Sequence, residues 1–239
     1  MLALYHTIFF RPIFNALVEL YNLTDDIGTA IIILTVIVRL IILPVTLKSL
    51  RSQKALQGLQ PKLNALKEKY KNDKPGLAKA TMELYREEKV NPASSCLPLV
   101  IQLPVFIALY QAMRVVLNNQ GMGDLYHFVA TPGAIHAVAF GFLDLTKANV
   151  TIAVAAGLSQ YWQAAMLTRN TPVVKTAGAK DESMTAMMNK QMLYMMPVMT
   201  VVIGYKLPGG VILYWLVTNL LTILQQYVFL RPKAAISNP

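Results

Sequence analysis

The chain has 239 residues, 55% of them hydrophobic and only 14% charged, with a formal net charge of +10. Soluble domains carry roughly 25% charged residues. Apolar content this high, set in long runs, excludes an ordinary water-soluble domain and points to lipid as the solvent. The basic surplus lies in the connections between apolar runs, which is the membrane pattern, so no specific nucleic-acid binding is expected.

The first segment, 1–26, does not read as a signal peptide: no positive residue precedes its apolar run, and Arg11-Pro12 splits it. Thr7, Arg11, Asn15 and Glu19 recur at every fourth position, opposite Phe10, Phe14, Leu17 and Tyr21. That spacing predicts an amphipathic helix lying in the membrane interface. A span needs about 20 mostly apolar residues. Five segments qualify, at 27–47, 97–117, 149–167, 191–205 and 210–230, the fourth being the shortest. With their flanks the second, fourth and fifth become 93–117, 191–207 and 208–230.

Between the first two spans, 48–92 is too patterned to be slack chain. Leu56, Leu59, Leu63, Leu66 and Tyr70 follow a 3-4-3-4 spacing, Asn72 to Gly76 make a turn, and Leu77, Ala80 and Leu84 resume the apolar stripe. A helical hairpin with a basic exterior is expected. Cys96, the single cysteine, allows no internal disulfide and reads as a packed small residue. In the loop 118–148, the apolar run 134–143 is too short to cross and reads as re-entrant or interfacial. Across the loop 168–190 and the fourth span, Met184, Met187, Met188, Met192, Met195, Met196 and Met199 form a dense run, either adaptable surface for varied partners or plain lipid-facing filler. Pro208-Gly209-Gly210 is a turn tight enough to make the last two spans antiparallel neighbours. A short tail, 231–239, ends the chain.

Lys and Arg counts set orientation. Eleven fall in 48–91, four in 168–190 and two after Leu230, whereas the other connections hold only Arg11, Lys147 and Lys206. The expected topology is N-terminus outside, with the C-terminus and both basic loops cytoplasmic. The predicted fold is therefore an all-α membrane protein: a five-helix transmembrane bundle with an N-terminal interfacial amphipathic helix and a cytoplasmic helical hairpin.

Inside the spans the informative residue is Arg39. A charge at mid-bilayer costs several kcal/mol, yet every Asp and Glu falls outside the five spans. With no acid to pair it, Arg39 is expected to face a hydrated cavity with polar side chains around it. Thr35 and Thr46 lie on its helix face. Trp215, Asn219, Thr222 and Gln226 form a stripe in the last span, Ser159, Gln160 and Gln163 a cluster in the third, and Gln102 a polar position in the second. Each alone reads as an interhelical hydrogen bond; together with an unpaired Arg they predict one shared polar groove. His6, His127 and His136 all lie outside the spans, no phosphate-binding Gly-Lys-Ser/Thr motif is present, and no catalytic constellation is visible. Neither enzyme activity nor a cofactor or metal is expected.

Four stretches carry a family resemblance: Arg39-Leu-Ile-Ile-Leu-Pro-Val-Thr-Leu-Lys-Ser through Gln60-Pro-Lys, Tyr85-Arg-Glu-Glu-Lys-Val-Asn-Pro, Cys96-Leu-Pro-Leu-Val-Ile-Gln-Leu-Pro-Val-Phe-Ile-Ala-Leu-Tyr110, and Pro208-Gly-Gly-Val-Ile-Leu-Tyr-Trp-Leu-Val-Thr-Asn219. In this order they resemble the YidC/Oxa family of membrane insertases. The resemblance implies a bacterial inner-membrane protein that moves nascent membrane proteins into the bilayer through a groove open to cytoplasm and lipid. It implies that Arg39 is the groove's positive residue and that Thr35, Gln160, Tyr214 and Trp215 meet the substrate there, beside Asn219 of the polar stripe. Nascent membrane proteins and the lipid bilayer are the implied partners, with the ribosome, the signal recognition particle receptor and the Sec translocon as further ones. Two departures stand out. The large soluble domain of many Gram-negative members is not in this sequence, which suggests a minimal or trimmed member, and the nine residues after Leu230 fall far short of the long basic tail by which some members bind ribosomes, so docking through a tail is not expected. The alternative is a small-solute transporter or channel, though the spans hold no ion-coupling acids.

Overall fold

The computed structural model describes residues 2–91, 93, 97–118, 122–168 and 190–229, whose backbone is mostly helical. The N-terminal segment is α1 (Leu2–Tyr5), a π turn (His6–Phe10) and α2 (Arg11–Thr24) in continuous succession. Pro12 sits in the first turn of α2, where its missing N–H would be unpaired anyway. Asp25, at a left-handed φ of 53°, ends α2 by donating its N–H to the Tyr21 carbonyl at 2.8 Å. Asp26 then caps α3 (Ile27–Gly58), its Oδ1 accepting from the Thr29 N–H at 2.7 Å. There follow α4 (Gln60–Lys69), α5 (Lys74–Glu87), α6 (Leu97–Leu117), α7 (Val150–Thr168), a second π turn (Gln191–Met195), α8 (Met196–Gly204) and α9 (Gly209–Phe229). Three of these, α3, α6 and α9, are long and apolar enough to cross a membrane, and Gln191–Gly204 is apolar but shorter.

We call the end of the bundle that carries the N-terminus of α3 the upper end. Burial differs sharply between the two ends. Upper-end residues form one apolar cluster: Phe14, Leu17 and Val18 of α2, Ile27, Ile31 and Leu34 of α3, Leu109, Met113 and Val116 of α6, and Val211 of α9. Below this plug the buried residues of α9 turn polar: Thr218, Asn219, Thr222 and Gln226. Polar groups also become buried on α3, at Thr46 and Ser49.

Three expectations take a different form in the structure. First, the polar stripe of the N-terminal amphipathic helix makes protein contacts. Asn15 is only 3% exposed, donates to the Asp124 carbonyl at 3.1 Å and accepts from the Tyr126 N–H at 2.6 Å, so the stripe holds the loop that follows α6. The opposite face packs on α3 and α6 and not on lipid alone. Second, no break occurs at 47/48: α3 runs on to Gly58, and the Gln57 side chain donates to the Leu167 carbonyl of α7. Third, 134–143 is not re-entrant. Val138–Ala139 pairs antiparallel with Leu143–Asp144 in a small hairpin, with Ile135, Ala139 and Leu145 buried beneath it. Its backbone partners come from distant chain, including Asp26 and Gly210, which no local pattern reports.

Beyond the lower end of α3, α4 and α5 lie side by side on Leu59, Leu63 and Leu84, with Leu66, Tyr85 and Val90 around them. Asp73 caps α5 through the Gly76 N–H at 2.9 Å. Cys96, the loop 168–190 apart from its two ends, with Met184, Met187 and Met188, and the tail 231–239 lie outside the described residues.

Candidate functional site

Arg39 is carried by α3 twelve residues after its first residue, Ile27. At a rise of about 1.5 Å per residue this is about 18 Å along the axis, near the middle of a hydrocarbon core about 30 Å thick. Its side chain crosses to α9. One terminal nitrogen donates to the Thr218 carbonyl at 3.0 Å and to the Thr222 hydroxyl at 2.5 Å. Thr222 in turn donates to the same Thr218 carbonyl at 2.8 Å. Among the described residues the ion pairs are His6–Asp124, Lys62–Glu88 and Lys147–Asp144, and none involves Arg39.

The site is incompletely satisfied. Arg39 Nε, Thr218 Oγ1, Gln225 Oε1 and Gln226 Oε1 are buried atoms without a hydrogen-bond partner among the described residues. Buried polar atoms are nearly always paired with protein or water, and unpaired ones cost about 1–3 kcal/mol each. Three of them on α9 and the Arg39 Nε that reaches across from α3, in a chain otherwise built of apolar helices, mark a surface suited to water or to polar groups from another molecule.

The other candidates divide around Arg39. Tyr214, buried one turn above Thr218, takes a hydrogen bond from the Gln102 amide of α6 and lies within electrostatic reach of Arg39. Thr35 is fully buried, and its hydroxyl donates to the Ile31 carbonyl of its own helix at 2.6 Å; Thr46 likewise donates to Leu43. Neither threonine hydrogen-bonds to Arg39. Thr35 sits where the apolar plug ends.

The expected stripe on α9 is split. Thr222 serves Arg39, but Asn219 turns to α7, donating to the Ala156 carbonyl at 3.0 Å and the Ser159 hydroxyl at 3.1 Å. Trp215 stands edge-on to Phe106 of α6, ring centroids 5.6 Å apart and planes at 71°, beside the α7 contact. Gln160 is half-buried and accepts from the Thr200 hydroxyl of α8. Asn219 and Gln160 thus bond helix to helix, whereas Arg39, Tyr214, Gln102 and Thr222 gather at the α3–α6–α9 face. Thr218 and Gln225 complete that face and were missed in the sequence reading. Thr218 lies four residues after Tyr214 and four before Thr222, a spacing that would have found it.

Residues 19–235 match the family model described as 60Kd inner membrane protein. The chain is 35% identical over 219 residues to the membrane protein insertase YidC of Fusobacterium nucleatum, covering 90% of this chain and 93% of that one. Against the membrane protein insertase YidC of Geobacter sulfurreducens it is 35% identical over 221 residues, but spans only 37% of that protein. Its backbone resembles a crystal structure of an active YidC insertase with the first transmembrane domain resolved, with a TM-score of 0.62 and 27% identity over 93% of this chain and 46% of that one.

Proposed function

Since the chain belongs to the 60Kd inner membrane protein family, that of the YidC insertases, we propose that it inserts nascent membrane proteins into the bacterial inner membrane, using the Arg39 face as the polar half of the path. The protein acts as an insertase and chaperone, not as an enzyme. Five spans are proposed: α3, α6, α7, the Gln191–Gly204 helix and α9. In this arrangement the upper end is extracytoplasmic, and α4 and α5 form a cytoplasmic hairpin. The excess of Lys and Arg at 48–91 and 168–190 supports that orientation.

The observation that carries the mechanism is the Arg39 guanidinium, held by a carbonyl and a hydroxyl with no carboxylate beside it. A cation so placed, below an apolar plug, attracts acidic and polar segments part-way into the bilayer, and the attraction is strong where the dielectric is low. The plug of Ile31, Leu34, Met113 and Val211 keeps the path from opening straight through. A client's polar N-terminal segment then has a shorter apolar barrier to cross, while its apolar segment partitions into lipid with a gain of about 0.8 kcal/mol per buried CH₂. Membrane potential favours acidic segments moving outward. Thr35, Tyr214 and Trp215 are proposed to line the path. Gln160 and Asn219 are proposed to shape it from the α7 side. The ribosome, the signal recognition particle receptor and the Sec translocon are proposed to meet the cytoplasmic loops.

The test is site-specific photocross-linking from positions 35, 39 and 215 to a ribosome-bound nascent membrane protein in proteoliposomes. Cross-links from all three are expected. Cross-links from the outer lipid-facing surface alone would overturn the reading. A small-solute transporter would instead give solute flux without a client.

A further inference from the structure

The upper end carries a feature that the insertion path does not use. Residues 138–144 fold as a hairpin whose tip is Phe140-Gly141-Phe142. Phe140 and Gly141 have φ of 55° and 78°, and the Phe142 N–H donates to the Ala139 carbonyl at 3.2 Å. Asn and Gly adopt positive φ readily; a bulky residue there is a genuine outlier. Phe140 is held in this conformation by Asp26, whose Oδ2 accepts the Phe140 N–H at 2.7 Å while its Oδ1 caps α3 through Thr29. Its ring lies against the first turn of α3. A Cβ on Gly28 would come within 2.7 Å of that ring and 2.6 Å of the Ala139 Cβ, so only glycine lets the tip approach. The Phe142 ring is 6.4 Å away and 80% exposed; Phe140 is 41% exposed.

Depth follows from these contacts. Asp26 precedes the first apolar residue of α3, and Gly28 is in its first helical turn, so the tip is fixed beside the point where α3 enters the hydrocarbon. Trp and Tyr concentrate at that level of a bilayer, and exposed Phe side chains bury there at the boundary of head groups and acyl chains. We propose that the Phe140–Phe142 tip is a lipid anchor, seated among the outer-leaflet head groups and upper acyl chains, and that Asp26 ties this anchor to the start of α3. The occupant of the exposed aromatic face is therefore lipid. The anchor fixes the height of α3, and with it the depth of Arg39.

A nitroxide reports depth directly. In a Cys96→Ser background, which removes the only cysteine, Phe142→Cys and Lys147→Cys are labelled separately in the full chain in phosphatidylethanolamine–phosphatidylglycerol vesicles. Lys147 is the water reference, its side chain being 81% exposed at the foot of the hairpin. Both side chains are exposed, and Lys147 gives up only a surface ion pair with Asp144, which contributes little to stability, so neither label should unfold the hairpin. The expected result is that oxygen relaxes the label at 142 more than a water-soluble nickel complex does, with the reverse at 147. Two results would overturn the proposal: equal nickel access at both positions, which puts the tip in water, or an immobile label at 142 reached by neither reagent, which puts it against a second copy of the chain.

Discussion

At the scale of single residues, Arg39 and Asp26 are charged groups doing opposite jobs. Arg39 is half-buried with fewer hydrogen bonds than its donors could make, and its buried Nε has none. Even a buried ion pair can often be replaced by apolar residues of similar size at no loss, or with a gain of about 1–4 kcal/mol, and removing Arg39 orphans no opposite charge. Arg39→Met is therefore expected to leave the unfolding midpoint in micelles unchanged or raised, while insertion of clients with acidic N-terminal tails falls in proteoliposomes. A variant that lost stability and kept insertion would show that Arg39 is only a structural link between α3 and α9. Asp26 works for the fold. Burial raises its pKa, but the amide hydrogen bonds from Thr29 and Phe140 outweigh that and hold it below the ordinary value of 3.8. Asp144 is held at about 2 by the Thr146 hydroxyl, the Lys147 ammonium and the Thr146 amide. Both are acids with depressed pKa values, so their contribution is complete above 3.8 and is lost as pH falls toward the folded values. Hydrogen exchange at the Phe140 and Thr146 amides is expected to gain protection loss specifically between pH 4 and pH 2, relative to helix amides corrected for intrinsic rate, and to show none between about pH 5 and 8.

At the scale of elements, α7 and α8 pack through small residues, the usual solution where lipid supplies no hydrophobic drive between helices. A Cβ on Gly157 would stand 2.5 Å from a Val201 methyl and 3.0 Å from the Pro197 carbonyl oxygen, and one on Gly204 would stand 3.0 Å from the Ala153 Cβ. Gly157→Ala is expected to cost about 1–3 kcal/mol by overpacking, read as a lower unfolding midpoint in micelles. Adding Val201→Ala should recover part of the loss, since the methyl gives way while the Pro197 backbone cannot. The same scale shows where sequence patterns are legible. The run at 97–117 is mostly apolar, and α6 has those bounds. Leu59, Leu63 and Leu84 repeat at helical spacing, and they are the residues on which α4 and α5 meet. Periodicity leaves 134–143 open between a re-entrant and an interfacial segment and does not show its hairpin, whose shape is set by Asp26, 114 residues from Phe140. Periodicity also could not divide Thr222 from Asn219: both lie on one broad face of α9, and only the neighbours, Arg39 on one side and Ser159 on the other, separate them.

At the scale of the molecule, the apolar and polar halves of the bundle are held in place by one lid. The lid consists of α2, the chain 122–147 and the start of α9, where the Gly209 and Gly210 N–H groups donate to the Lys147 and Leu145 carbonyls at 3.0 and 3.3 Å. Arg39 showed itself in the sequence as a cation without an acid, but nothing local could announce that polar groups on more than one face of α2 fasten this lid. Asn15 reaches Asp124 and Tyr126, the Tyr21 hydroxyl accepts from the His136 N–H at 3.0 Å, and Asn22 donates to the Ala130 carbonyl at 2.8 Å. Asn15 is the most buried of these polar groups, at 3% exposure, with Tyr21 close behind at 4%. Asn15→Leu keeps its volume but orphans the Tyr126 N–H and takes a donor from the Asp124 carbonyl, at about 1–3 kcal/mol for each group left unpaired. Because Asn15 touches the lid and not the Arg39 face, its loss should lower the unfolding midpoint and let proteoliposomes leak a small trapped dye that the wild-type protein retains. Asn15→Asp keeps the acceptor for Tyr126 and should fall between the two. If Asn15→Leu unfolded no earlier than wild type and leaked no more, the seal would belong to the apolar plug alone, and the Asn15 contacts would not be what fastens the lid.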